Sequence, residues 1–351
     1  MSGLVGAEIP TTNCIRSVDK LSFPFTPPSP FLFLVYHKDA YPAGNGKCEA
    51  PRTGDGMDFN PSADYRMYHG TKIPGFPQHP HRGFETLTAT IEGFVDHTDS
   101  EGNGGRYGGG DNQWMTAGKG ICHAEMFPLV HTNKGNPTRF FQIWLNLPSR
   151  SKFVDPFFTM HWREDIPKWK SDEAEVTVWA GSLDGIEPLT PPPNSWAADK
   201  DNEVAVWFIK VQPGGTFTLP AAKGGTEVNR QLYWVEGKDL VINKSKVSMH
   251  AALTVDASET AVLRNRDEGA VSEVLMLQGR PIQEPVAQHG PFVMNTQQEI
   301  QTAFADYRRT QFGGWPWPRD DMTFPPEKGR FALQKGVEET PPTTNQNGNE
   351  L

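Results

Sequence analysis

A chain of 351 residues is long enough for two ordinary domains with substantial cores. Its 42 acidic and 33 basic side chains leave a formal net charge of −9, which argues against the clustered positive surface that direct nucleic-acid binding requires. Cys14, Cys48 and Cys122 are too few and too scattered for a disulfide framework or a thiolate metal cluster, and they point to a reducing compartment.

The N-terminus shows no basic segment leading into an apolar run, and the longest early apolar stretch, Phe31–Tyr36, is too short to span a bilayer. A soluble monomer of the cytoplasm or nucleus is expected, with no membrane partner. A strand is predicted around Cys14–Val18, Ser22–Pro30 is dense in proline, and Phe31–Tyr36 reads as a buried strand. Lys38–Ile73 is rich in Gly, Pro, Asp and charge. It reads as an insertion, either a functional flap at a barrel mouth or a disordered loop.

Beyond it lies His79-Pro80-His81, followed by the β-branched, alternating run Glu85–Ile91, a break at Glu92-Gly93 and a further strand over Phe94–Asp99. Glycine clusters at 102–105 and 108–110 suit tight reversals, and Gln113–Gly120 leads into the strand Ile121–Met126, which contains His123-Ala124-Glu125. In an extended chain residues two apart share a face. His79 and His81 therefore point one way, and His123 and Glu125 another. A sheet that brings the two faces together gathers three imidazoles and one carboxylate into a metal site. On donor chemistry alone iron, copper, nickel, manganese and zinc fit about equally. His97 is expected to be structural, and Cys122 to face away from His123.

Arg139–Pro148 is another strand, and Pro156–Glu173 the candidate linker. A second set of β runs follows, from Glu175–Ala180 to Val271–Leu277, which suggests an internal repeat. Aligning Ile91-Glu92-Gly93 with Val235-Glu236-Gly237 sets Lys223 and Gly225 opposite His79 and His81, so one metal per chain is expected. Thr296 with Glu299 opens a helix through Arg309, its apolar face formed by Ile300, Ala303, Phe304 and Tyr307. Residues 335–351 are polar and expected to be disordered.

The order His-x-His, nearby Glu, Gly-Asp turn and second His resembles the two-part cupin motif. Three stretches, His79–Thr86, Gln113–Gly118 and Gln288–Thr296, resemble the signature segments of the pirin family, and the likeness runs from about Pro28 to Gln311. This resemblance implies an all-β fold of two consecutive jelly-roll-type cupin barrels with a C-terminal helix. The metal-binding barrel would span 1–165, with its insertion at 38–73, and a metal-free barrel 174–334, including the helix 296–309. It also implies Glu125 rather than Glu85 as the carboxylate ligand beside His79, His81 and His123, a choice that spacing alone leaves open, and Fe(II) over other divalent transition metals. The activity it implies is ring cleavage of a flavonol by a quercetin 2,3-dioxygenase; for such a reaction a carboxylate at the metal's edge makes Glu125 the expected base, and Phe84, Trp114 and Met115 are either pocket walls or barrel core. The alternative is a nuclear co-regulator that grips a transcription-factor partner according to its iron oxidation state.

Overall fold

The structure, a computed structural model, describes residues 10, 13–247 and 250–343. Among these it divides into two compact units, one formed by residues up to 35 with 166–283, the other by 36–165 with the residues from 284 onward.

The histidine-bearing unit has two layers. One is a five-stranded sheet in the order Phe157–His161, Asn112–Thr116, Phe84–Glu92, Asn136–Asn146 and Phe31–Tyr41, the last belonging to this unit from Tyr36 onward. The other is six-stranded, in the order Val337–Glu339, Phe331–Gln334, Gly104–Gly108, Phe94–Asp99, Ile121–Met126 and Gly75–His81. Val95, Tyr107 and Ile121 from one layer and Met115, Phe140 and Phe158 from the other belong to one buried cluster, so the layers pack face to face.

Closed barrels were expected for both units, and neither is closed: all the sheets are open. The reason is visible at the outer strand of the six-stranded sheet. Gly75–His81 contains Pro77 and Pro80, which have no N–H to offer a further strand, and proline confines a strand to an edge. Its outer side is covered instead by irregular chain, with the Gln78 amide donating to the Asp320 carbonyl at 2.9 Å. The other unit is likewise an open pair, of seven strands and four, around a core that includes Val176, Ile209, Phe217, Leu232, Leu263 and Met276.

The 38–73 segment is ordered. Arg66 makes a two-pronged ion pair with Asp39 at 2.9 and 3.1 Å, and the Tyr68 hydroxyl donates to the same carboxylate at 2.7 Å. Both members of the ion pair are buried. Tyr41 donates to the Arg66 carbonyl at 2.6 Å, and Arg52 bridges Asp58 and the Tyr65 carbonyl.

The helix Gln297–Thr310 begins with the capping box of Thr296 and Glu299 and lies in the histidine-bearing unit. Ile300, Ala303, Phe304 and Tyr307 pack with Phe292, Met294, Phe312 and Cys122. Within the segment expected to be disordered, Val337–Glu339 pairs with Phe331–Gln334, and residues 344–351 lie outside the described residues. No helix among the described residues is long and apolar enough to cross a membrane.

One contact ties the C-terminal segment to the histidine strand. Gly83 adopts a φ of +87°, and a Cβ there would stand 1.9 Å from the Val293 carbonyl oxygen. The buried Lys152 ammonium, its pKa pushed down by burial to about 8, donates to the carbonyls of Gly83 at 2.8 Å and Val293 at 3.0 Å. Gly83→Ala is therefore expected to cost more than the about 1–2 kcal/mol of left-handed backbone strain alone. A denaturant midpoint unchanged from wild type would contradict this.

Candidate metal centre

Strands Gly75–His81 and Ile121–Met126 pair antiparallel, with His79 directly opposite His123 and His81 opposite Ile121. Opposite residues share a face, so the three histidines converge. Their ring centroids are 4.5 Å apart for His79 and His123, 4.9 Å for His81 and His123, and 4.8 Å for His79 and His81. One ligating nitrogen from each lies within 4.8 Å of the others. His81 and His123 are buried, while half-buried His79 marks the opening.

Second partners orient two of the rings. Nδ1 of His79 donates to the Pro77 carbonyl at 2.9 Å, and Nδ1 of His81 faces the Pro291 carbonyl at 3.4 Å. Each contact leaves Nε2 as the lone-pair nitrogen. His123 has neither ring nitrogen hydrogen-bonded although both are buried, a costly arrangement for a polar group unless an ion supplies the missing partner. The trio therefore fits a divalent transition metal.

Desolvation drives the pKa of every ring down, that of His79 to about 4 and those of His81 and His123 well below the ordinary value. A depressed pKa means that protons compete for these nitrogens only in acid. Metal loading is expected to be flat from about pH 8 to about pH 5 and to fall as pH approaches 4, where exposed imidazoles would already lose metal near their usual pKa of about 6.5. Chelator competition across this range measures it, and a midpoint near 6.5 would contradict it.

Glu125 stands beside the trio, its Oε2 3.9 Å from His123 Nε2. It accepts from Thr88 Oγ1 at 2.9 Å and from Gln142 Nε2 at 2.6 Å. Burial pushes its carboxyl pKa up, against the opposing pull chiefly of the Thr88 bond. Glu85 is elsewhere: fully buried, it accepts from Trp114 Nε1 at 3.1 Å and Thr116 Oγ1 at 2.6 Å, on the opposite face of its strand from Thr88. Trp114 shares that outward face and is no pocket wall. Phe84 and Met115 alternate to the inner face, Phe84 with its ring 5.0 Å from that of His81.

Three further side chains surround the trio, of which the sequence singled out only His97, as structural. Trp144 is half-buried 5.3 Å from His81 and 4.3 Å from Phe84. A bulge between Phe76 and His79 sets Phe76 opposite Glu125 and turns its ring toward the pocket, 6.3 Å from His79. His97 is fully buried opposite Glu125, 5.5 Å from His123, with Nε2 3.3 Å from Asp99 Oδ2. His289, by contrast, is exposed and packs on Phe304.

An all-β, two-unit, cupin-type protein with a three-histidine metal centre is thus defined. The pirin family profile matches residues 52–145, and that of the pirin C-terminal cupin domain matches 206–313. Pirin of Homo sapiens is 35% identical over 263 residues, covering 73% of this chain and 84% of its own. Pirin-1 of Arabidopsis thaliana is 35% identical over 243 residues, covering 68% and 78%. The crystal structure of a quercetin 2,3-dioxygenase from Acinetobacter baumannii superposes with a TM-score of 0.65 at 30% identity, covering 82% of this chain and 87% of that one. The chain belongs to the pirin family.

Proposed function

We propose that the protein is an iron(II)-dependent flavonol ring-cleaving dioxygenase of the quercetin 2,3-dioxygenase type, with His79, His81, His123 and Glu125 holding one metal. The observation that carries this reading is a histidine trio with aromatic rings on two sides of it. Trp144 and Phe84 lie on the side of His81, and Phe76 on the side of His79. Likeness to the Acinetobacter baumannii quercetin 2,3-dioxygenase supports the substrate class. Iron(II), when bound, supplies the one-electron chemistry that O2 requires.

The chain's own residues do the rest. The aromatic rings sandwich a planar ligand and exclude water, which converts a bimolecular encounter into a positioned one. Thr88 and Gln142 hold the Glu125 carboxylate in place at the edge of the trio, where it takes the phenolic proton of the bound ligand. Elemental analysis of the purified protein, coupled to oxygen uptake with several flavonols, tests the proposal. About one metal per chain and flavonol-dependent uptake are expected. Iron-loaded protein that consumes no oxygen with any flavonol would overturn it.

A further inference from the structure

The 38–73 segment is long for a connection between two strands, and three of its rings gather around Phe76, the aromatic neighbour of His79. Phe59, Tyr68 and His69 lie 6.4, 5.2 and 5.5 Å, centroid to centroid, from Phe76. Phe59 and His69 are themselves 5.0 Å apart. Beneath them the backbone is held by Asp39, which binds both Arg66 and the Tyr68 hydroxyl, and by the paired amides and carbonyls of Asp58 and Tyr68 at 2.9 and 3.0 Å. A ring carried on this frame keeps its place without a ligand, which lowers the ordering cost of binding.

His69 is the exposed, polar member of the group. Its Nδ1 lies 2.7 Å from the Gly56 carbonyl oxygen. A carbonyl can only accept, so Nδ1 carries the hydrogen and Nε2 is the acceptor of the neutral ring. Two ring-to-ring steps, His79 to Phe76 and Phe76 to His69, lead from the metal ligands to this imidazole, a reach within the length of a three-ring flavonol.

We propose that His69 is a specificity-determining residue of the site, accepting a hydrogen bond from a phenolic hydroxyl on the pendant ring of the substrate. The inference rests on the dioxygenase reading and adds to it the feature by which one polyphenol is chosen over another. Phe59 and Phe76 give the pendant ring surfaces to stack on but cannot tell a hydroxylated ring from a bare one. A placed acceptor can, because the ligand that lacks the hydroxyl leaves it unpaired.

Anaerobic titration of the iron-loaded full chain with quercetin and with galangin, which lacks the pendant-ring hydroxyls, reads binding without turnover. Wild type is expected to prefer quercetin by about five- to tenfold, the net worth of roughly one hydrogen bond. His69→Phe, which keeps the ring stacking, should abolish the preference by weakening quercetin alone, and His69→Gln, which retains an acceptor oxygen, should restore part of it. Metal content should match wild type in both variants. An unchanged preference in His69→Phe overturns this inference and leaves the dioxygenase reading standing, whereas failure of both flavonols to bind wild type overturns both.

Discussion

His123→Ala is expected to yield a folded protein almost devoid of metal. Its ring forms one corner of a nearly equilateral triangle, 4.5 Å from His79 and 4.9 Å from His81, and the pair it leaves behind can no longer enclose an ion from three sides. Loss of a mere supporting partner costs about 10–100-fold in affinity, so loss of a ligand itself should exceed that. The fold should persist because no protein hydrogen bond ends on the His123 ring and the surrounding core rests on apolar side chains such as Val95, Tyr107 and Phe158. Elemental analysis alongside circular dichroism separates the two effects. Full occupancy in the variant would sink the assignment. Glu85→Gln is the matched control: its carboxylate bonds to Trp114 and Thr116 on the other face of the strand, and it should keep wild-type metal.

The trio was legible because it depends on local arithmetic. His79, His81 and His123 sit at strand spacing, and a single antiparallel pairing suffices to join them. Openness of the sheets was also written in the chain, in Pro77 and Pro80, since a strand with two prolines belongs at an edge. Alternation likewise places Trp114 with Glu85 and away from Thr88, so its removal from the pocket wall follows once Glu85–Ile91 is taken as a strand.

Other features have no local signature. Order in the 38–73 segment rests on Asp39 meeting Arg66, a pairing 27 residues apart in sequence that periodicity cannot register. The bulge that swings Phe76 onto the metal face shifts the register between two residues of one strand. Pro291 reaches His81 from a separation of 210 residues, two residues before Val293, whose carbonyl approaches Gly83 closely. The sequence likeness located the blocks containing these residues, while their contacts required the fold.

Glu125→Gln is expected to retain much of its iron and to lose flavonol-dependent oxygen uptake by about 10²–10⁴-fold, the usual worth of a general base. A flavonol must give up its 3-hydroxyl proton to become a good donor, and Glu125 lies at the edge of the trio, 3.9 Å from His123 Nε2. The Thr88 hydroxyl and Gln142 amide fix the direction of its carboxylate beside the trio. Glutamine preserves the volume and one oxygen at this position but cannot accept that proton. The loss should therefore appear in kcat, with anaerobic flavonol binding and metal content changed far less. A flavonol supplied already deprotonated, at a pH above its own 3-hydroxyl pKa, should recover a large part of the lost rate, since the step assigned to Glu125 has then been completed in solution. Normal turnover per bound iron in the variant at neutral pH would remove Glu125 from the role of base and leave it, at most, an oxygen donor to the metal.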